Sequence, residues 1–127
     1  MRQVFKMQDY EIEVDYGGHV VSRLHSRFNG IDTYYLDFVF ENIFTDSDVV
    51  DYLINDVRIG EDVVIIDEDS GVSMAVNIGA ECFYIKTLFN AHEGNLLIGE
   101  MQKVLRLARS CGLRIEYFHK RRGECFA

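Results

Sequence analysis
The chain is predicted to be an α+β domain, with N-terminal helices packed on an antiparallel β-meander, then a C-terminal helix and a closing strand. Three observations predict it. Apolar residues recur at helical spacing through the first half. Three short β-branched runs separated by turn-forming residues come next. Helical spacing then returns before a final strand-like run. With 127 residues, 48% of them apolar and nine Phe and seven Tyr among them, the chain has material for one packed domain over residues 1–127 without metal or disulfide support.

The elements follow in order. Residues 3–16 include EIEVDY, where acidic and apolar residues alternate as in a half-exposed strand. Gly17-Gly18 breaks that pattern. HVVSRLHSRF then puts Val20, Val21, Leu24 and Phe28 on one helical face, with His19, Arg23 and Arg27 aligned along its edge. As a strand the same segment would set Val21 against Val20, Leu24 and Phe28. After the Asn29-Gly30 turn, Asp32 or Thr33 caps a second helix carrying Tyr35, Leu36, Val39, Phe40 and Ile43. YYLDFVF also suits a strand on propensity, and helix is the preferred reading. The cluster Thr45-Asp46-Ser47-Asp48 caps a third, short helix through Val49, Val50, Leu53, Ile54 and Val57.

The period then changes. VVIID (63–67), VSMAVNI (72–78) and CFYIKTLF (82–89), divided by DEDSG and Gly79-Ala80-Glu81, read as a three-stranded antiparallel meander. In an unbroken last strand Cys82, Tyr84, Lys86 and Leu88 share one face, and Phe83, Ile85, Thr87 and Phe89 the other. A helix is expected over 95–111 from Leu97, Met101, Val104, Leu105 and Ala108, with Gly112 as its C′ residue. LRIEYFH (113–119) reads as the closing strand and KRRG as a basic exit.

The net charge is −8, unevenly spread. From Asp37 to Asp69 eleven acidic residues face a single base, Arg58, whereas Lys103 to Arg122 holds seven bases and one acid, Glu116. A net negative chain argues against long-range, non-specific nucleic-acid binding but permits a local phosphate contact. Cys82, Cys111 and Cys125 form no C-x-x-C pair, and Cys82 and Cys111 read as reduced core thiols. No apolar run approaches bilayer length and no signal-peptide pattern is present, so a cytoplasmic protein without membrane contact is expected.

The helix edge is the part that asks for chemistry. Two guanidiniums and an imidazole four residues apart can cradle one phosphate, and histidine exchanges protons near neutral pH. Lys86 and Thr87 sit mid-strand in an apolar run, where a lysine needs water or a partner. They lie on opposite faces, so at most one of them points at the helix edge. His119 is a candidate second proton-transfer group. His25 points to another side of the helix, and His92 precedes a strand-to-helix turn; neither is a candidate. There is no Walker A loop, G-x-G-x-x-G, G-x-S-x-G or H-E-x-x-H pattern, and the DEDSG acids read as a charged turn, so no cofactor or metal is expected.

The H-x-x-x-R-x-x-x-R helix (His19, Arg23, Arg27), followed by VIIDEDSGVSMAVNIG and FYIKTLF, resembles small RelE-like proteins of the barnase, EndoU, colicin E5/D and RelE grouping, over residues 11–90. The resemblance implies a helix packed on an antiparallel sheet, metal-independent RNA cleavage, and a toxin of a plasmid, phage or toxin–antitoxin pair. It implicates His19, Arg23, Arg27, Lys86 and Thr87. Two departures stand out: such nucleases are mostly basic, and the chain after residue 92 lies outside the shared pattern.

Two functions are therefore expected in competition. One is an endoribonuclease acting on RNA. The other is a non-catalytic acidic binder (an immunity, antitoxin-like or phage-encoded inhibitor) whose Asp37–Asp69 stretch covers a basic protein partner.

Overall fold
In the computed structural model, which describes residues 2–6, 11–28, 30–90 and 103–117, the segment expected as one N-terminal strand holds two. β1 (Arg2–Lys6) pairs antiparallel with β2 (Glu11–Tyr16), from Arg2 opposite Asp15 to Lys6 opposite Glu11. The EIEVDY alternation buries Ile12, Val14 and Tyr16 and leaves the acids at the surface or half-buried. Three helices follow: α1 (Gly18–Arg27), α2 (Thr33–Phe44) and α3 (Ser47–Asn55). Asp32 caps α2 by accepting from the Tyr35 N–H at 2.9 Å, and Asp46 caps α3 through the Val49 N–H at 3.1 Å. No helix among the described residues is long and apolar enough to cross a membrane.

The expected meander is present as β3 (Asp62–Asp67), β4 (Val72–Ile78) and β5 (Phe83–Asn90), each antiparallel to the next. The chain closes with β6 (Lys103–Ala108) and β7 (Gly112–Tyr117), an antiparallel pair. All seven strands join one mixed sheet in the order β1-β2-β5-β4-β3-β6-β7. The meander is its centre, and each flanking hairpin attaches through a parallel pairing, β2 to β5 and β3 to β6. The fold is α+β.

The C-terminal helix expected over 95–111 is corrected where it is described, because Lys103–Ala108 is strand β6. Val104, Leu105, Leu107 and Ala108 are all buried, as befits an inner strand flanked by β3 and β7. A strand buried on both faces loses its two-residue alternation, so a short apolar run imitates helical spacing. Residues 95–102 of the expected helix lie outside the described residues. Gly112 therefore ends no helix; it takes φ +73° at the β6–β7 turn, a left-handed conformation that favours glycine. Cys111 lies exposed in that turn and is not a core thiol.

The main core lies between the helices and one sheet face, with Leu36, Phe40 and Phe44 of α2 and Val49 and Leu53 of α3 buried against Val14, Ile65, Met74, Val76 and Ile85. A second, smaller cluster of Val64, Ile66, Ala75, Phe89 and Val104 belongs to the opposite face. The parallel β3–β6 pairing also brings the two charge runs together. Lys103 bridges Glu61 at 3.2 Å and donates to the Asp56 carbonyl, Arg114 pairs with Glu68, and the Arg109 N–H donates to Asp69 at 2.9 Å. Two charge pairs, Lys103–Glu61 and Arg114–Glu68, thus join the basic run to the acidic one among the described residues.

Candidate functional site
The β2–β5 ladder is short. It runs from Val14 opposite Phe83 to Tyr16 opposite Ile85 and stops, because Gly17 turns the chain out of the strand and into α1. Among the described residues β5 beyond Ile85 has no strand on that side, and α1 packs beside it. Gly17 offers α1 no side-chain cap. A helix of 10 residues is marginal in isolation, so packing must hold it in place. Val20 and Leu24 supply that packing, both fully buried, with Val21 and Phe28 partly buried beside them. Truncating a residue such as Leu24 to alanine costs about 2–5 kcal/mol. The apolar face expected from HVVSRLHSRF is the docked face.

His19, Arg23 and Arg27 lie along the edge of that face and meet β5 in different ways. Arg27 Nη1 donates to the Leu88 carbonyl at 3.0 Å, supplying a donor where no strand continues the ladder. The Thr87 hydroxyl reaches the same carbonyl only at 3.5 Å, so this guanidinium is its main donor and has a structural role, worth about 1 kcal/mol. His19 Nε2 lies 3.2 Å from Thr87 Oγ1, and Arg23 Nε approaches the same nitrogen at 3.4 Å. Arg23 Nε carries a proton and no lone pair, so it approaches only as a donor. His19 itself is exposed at the surface.

A β-bulge sorts the two strand candidates. In the β4–β5 register Ala75 faces Thr87 and Val76 faces Ile85, so Lys86 is the extra residue. The bulge shifts the alternation expected for an unbroken strand. Leu88 joins Ile85 and Phe83 in the main core, while Phe89 belongs to the second cluster. Thr87 meets α1. Lys86 reaches across β4, where its ammonium pairs with Asp62 of β3 at 2.8 Å. Burial raises the Asp62 carboxyl, but the hydrogen bonds from Lys86 and Asn77 outweigh it and leave its pKa below the ordinary value.

Of the six candidates, His19, Arg23 and Thr87 come together, and Arg27 stands beside them bound to backbone. Lys86 is directed to Asp62, and His119 lies outside the described residues, as do His92 and Cys125. Arg23 forms no ion pair among the described residues, although the chain is acidic. Sequence reasoning missed the Leu88 carbonyl, a backbone group whose need for a donor appears only once β2 is known to end at Tyr16. Cys82 is half-buried, and its thiol pKa is pushed up by burial and then by Asp15 and Glu13. It is therefore poorly suited to nucleophilic attack. No family model, curated protein or solved structure matches this chain.

Proposed function
We propose that the chain is a metal-independent endoribonuclease of the RelE-like type, a plasmid- or phage-associated toxin, with His19, Arg23 and Thr87 as its reacting site. One observation carries the proposal: residues 68 positions apart converge so that a base nitrogen and a hydroxyl lie 3.2 Å apart, beside a guanidinium with no carboxylate partner among the described residues. The incoming ribose 2′-hydroxyl takes the place of Arg23 at His19 Nε2 as Arg23 turns to the phosphate; Nε2 removes its proton, and the 2′-oxygen attacks the adjacent phosphorus. Arg23 stabilises the negative charge that builds on the phosphorane, an electrostatic contribution usually large in such reactions. The bond to the 5′-oxygen breaks, that oxygen takes a proton from solvent, and a 2′,3′-cyclic phosphate remains. Once the proton has moved, Thr87 Oγ1 accepts from the Nε2–H of the imidazolium and holds the ring in place.

The acidic-binder reading is weakened by how the acids are used. Of the Asp37–Asp69 stretch, Glu61, Asp62 and Glu68 are matched to bases, Asp46 caps α3, and Asp37 accepts from Gln3 and Tyr16. Five of the eleven acids are thus engaged, while Glu41, Asp48, Asp51, Asp56 and Asp69 stay exposed, so this reading keeps a smaller acidic surface.

The test is a labelled oligoribonucleotide incubated with the protein in excess EDTA. Cleavage yielding a cyclic phosphate, abolished at a linkage whose ribose is 2′-deoxy, is the expected result. Cleavage that survives the 2′-deoxy substitution, or that requires an added divalent ion, overturns the mechanism.

A further inference from the structure
A helix lying on a sheet needs one apolar face, and α2 has two. Leu36, Val39, Phe40, Ile43 and Phe44 are buried in the main core. The opposite side presents Tyr34, Tyr35 and Phe38, with Tyr34 87% and Phe38 49% exposed. At helical spacing these three share one outer stripe. The Tyr35 and Phe38 rings stack there, with centroids 6.2 Å apart and planes 25° apart. A helix that is apolar all round belongs in an interior, and contiguous exposed apolar side chains mark an interaction surface.

The charge around the stripe has one sign. From Gly30 to Val57, through α2 and α3, the chain holds seven acids and no lysine, arginine or histidine. Asp32 and Asp46 cap the two helices, and Asp37 accepts from Tyr16. Glu41, three residues beyond Phe38, and Asp48 and Asp51 of α3 are exposed, with no ion pair among the described residues. Asp67 in the neighbouring β3–β4 turn is buried and acted on by Arg109, so it adds nothing to this surface.

We infer that the outer side of α2 docks a basic amphipathic segment of a partner protein. Its apolar side chains cover Tyr34, Tyr35 and Phe38, while its lysines or arginines meet Glu41, Asp48 and Asp51. Aromatic side chains are common anchors of protein interfaces. The acidic surround selects the occupant: it repels RNA and a second copy presenting the same face, and it steers a cationic chain toward the stripe. An exposed helix ridge gives a small ligand little enclosure, whereas a polypeptide can lie along it. The inference does not rest on the ribonuclease reading, since His19, Arg23 and Thr87 belong to α1 and β5.

The test is fluorescence anisotropy of a labelled leucine–lysine peptide, its leucines at helical spacing, titrated with the full chain and no RNA. The peptide is expected to bind at micromolar concentration and to weaken as salt rises. A leucine–glutamate counterpart and a serine–lysine counterpart should not bind. Phe38→Ala should weaken binding about tenfold, the scale of one aromatic anchor, and Glu41→Lys about fivefold. Tyr34→Ala repeats the first test at the most exposed ring, and circular dichroism reports that each variant remains folded. Ile59→Ser, exposed in the turn after α3, should leave the affinity unchanged. No binding, equal binding by either counterpart, or affinity unchanged in Phe38→Ala and Tyr34→Ala would overturn the inference. Weakening by Ile59→Ser as large as by Phe38→Ala would place the peptide elsewhere and also overturn it. Self-association of the chain alone in sedimentation, lost in Phe38→Ala, would give the face to a second copy instead.

Discussion

His19 Nε2 and Thr87 Oγ1 lie 3.2 Å apart because β2 ends opposite Ile85 and α1 takes over the space beside β5. The chain turns at Gly17, two residues before His19, and on β5 Thr87 meets the helix edge while Lys86, the extra residue of the bulge, pairs with Asp62. A strand that stops early makes room for the contact on which the functional proposal rests.

If Thr87 positions the imidazole, Thr87→Val should lower RNA cleavage roughly fivefold, the equivalent of about 1 kcal/mol for one hydrogen bond. Thr87→Ser retains the hydroxyl and should restore most of the rate. Initial rates on a single oligoribonucleotide check both variants, and equal rates for valine and threonine would remove Thr87 from the site.

Lys86 gives the opposite expectation. Its ammonium is committed to Asp62, half-exposed on the far side of the bulge. Lys86→Met should leave cleavage within about twofold and cost no more than about 1 kcal/mol of stability, as for other surface ion pairs. A hundredfold fall in rate without unfolding would return Lys86 to the reacting group.

Arg27 is expected to matter for folding. Arg27→Met removes the shorter of two donors to the Leu88 carbonyl, leaving the Thr87 hydroxyl at 3.5 Å, and should reduce unfolding free energy by about 1 kcal/mol, read from the urea midpoint. An unshifted midpoint would mean that the contact contributes nothing at the open edge.

Tyr16 supplies a pH signature. It is buried and donates to Asp37 at 3.2 Å, and its pKa is pushed up to about 12, first by burial and then by the Asp37 carboxylate. An unfolded tyrosine ionises near pH 10. The native state therefore holds its proton longer, and this contribution is complete below about pH 10 and lost as pH rises toward 12. The loss is on the order of 2–3 kcal/mol. Tyr16→Phe should show a shallower decline in urea midpoint between pH 9 and 11. Parallel declines in both proteins would contradict the assignment.

Much of this was legible before the structure. The α1 stripe follows from Val20, Leu24 and Phe28 at helical spacing, and the caps of α2 and α3 from Asp32 and Asp46. The meander was visible because Gly71, at φ +76°, and the stretch from Gly79 to Cys82 punctuate three β-rich runs. β6 was misread because Val104 and Leu105 are buried on opposite faces, which erases the strand period. The bulge was illegible for a different reason. It depends on how Ala75 and Val76 register against β5, a property of two strands together. The pairing of the acidic and basic runs was likewise hidden, since it needs β6 beside β3.

The measurement that bears most directly on the central claim is RNA cleavage by His19→Ala and Arg23→Ala against the unaltered chain, with folding confirmed by circular dichroism. Removing a general base typically costs about a hundredfold or more, so both variants should fall by at least that factor while remaining folded. Cleavage at the unaltered rate in both would contradict the assignment of this helix edge as the site.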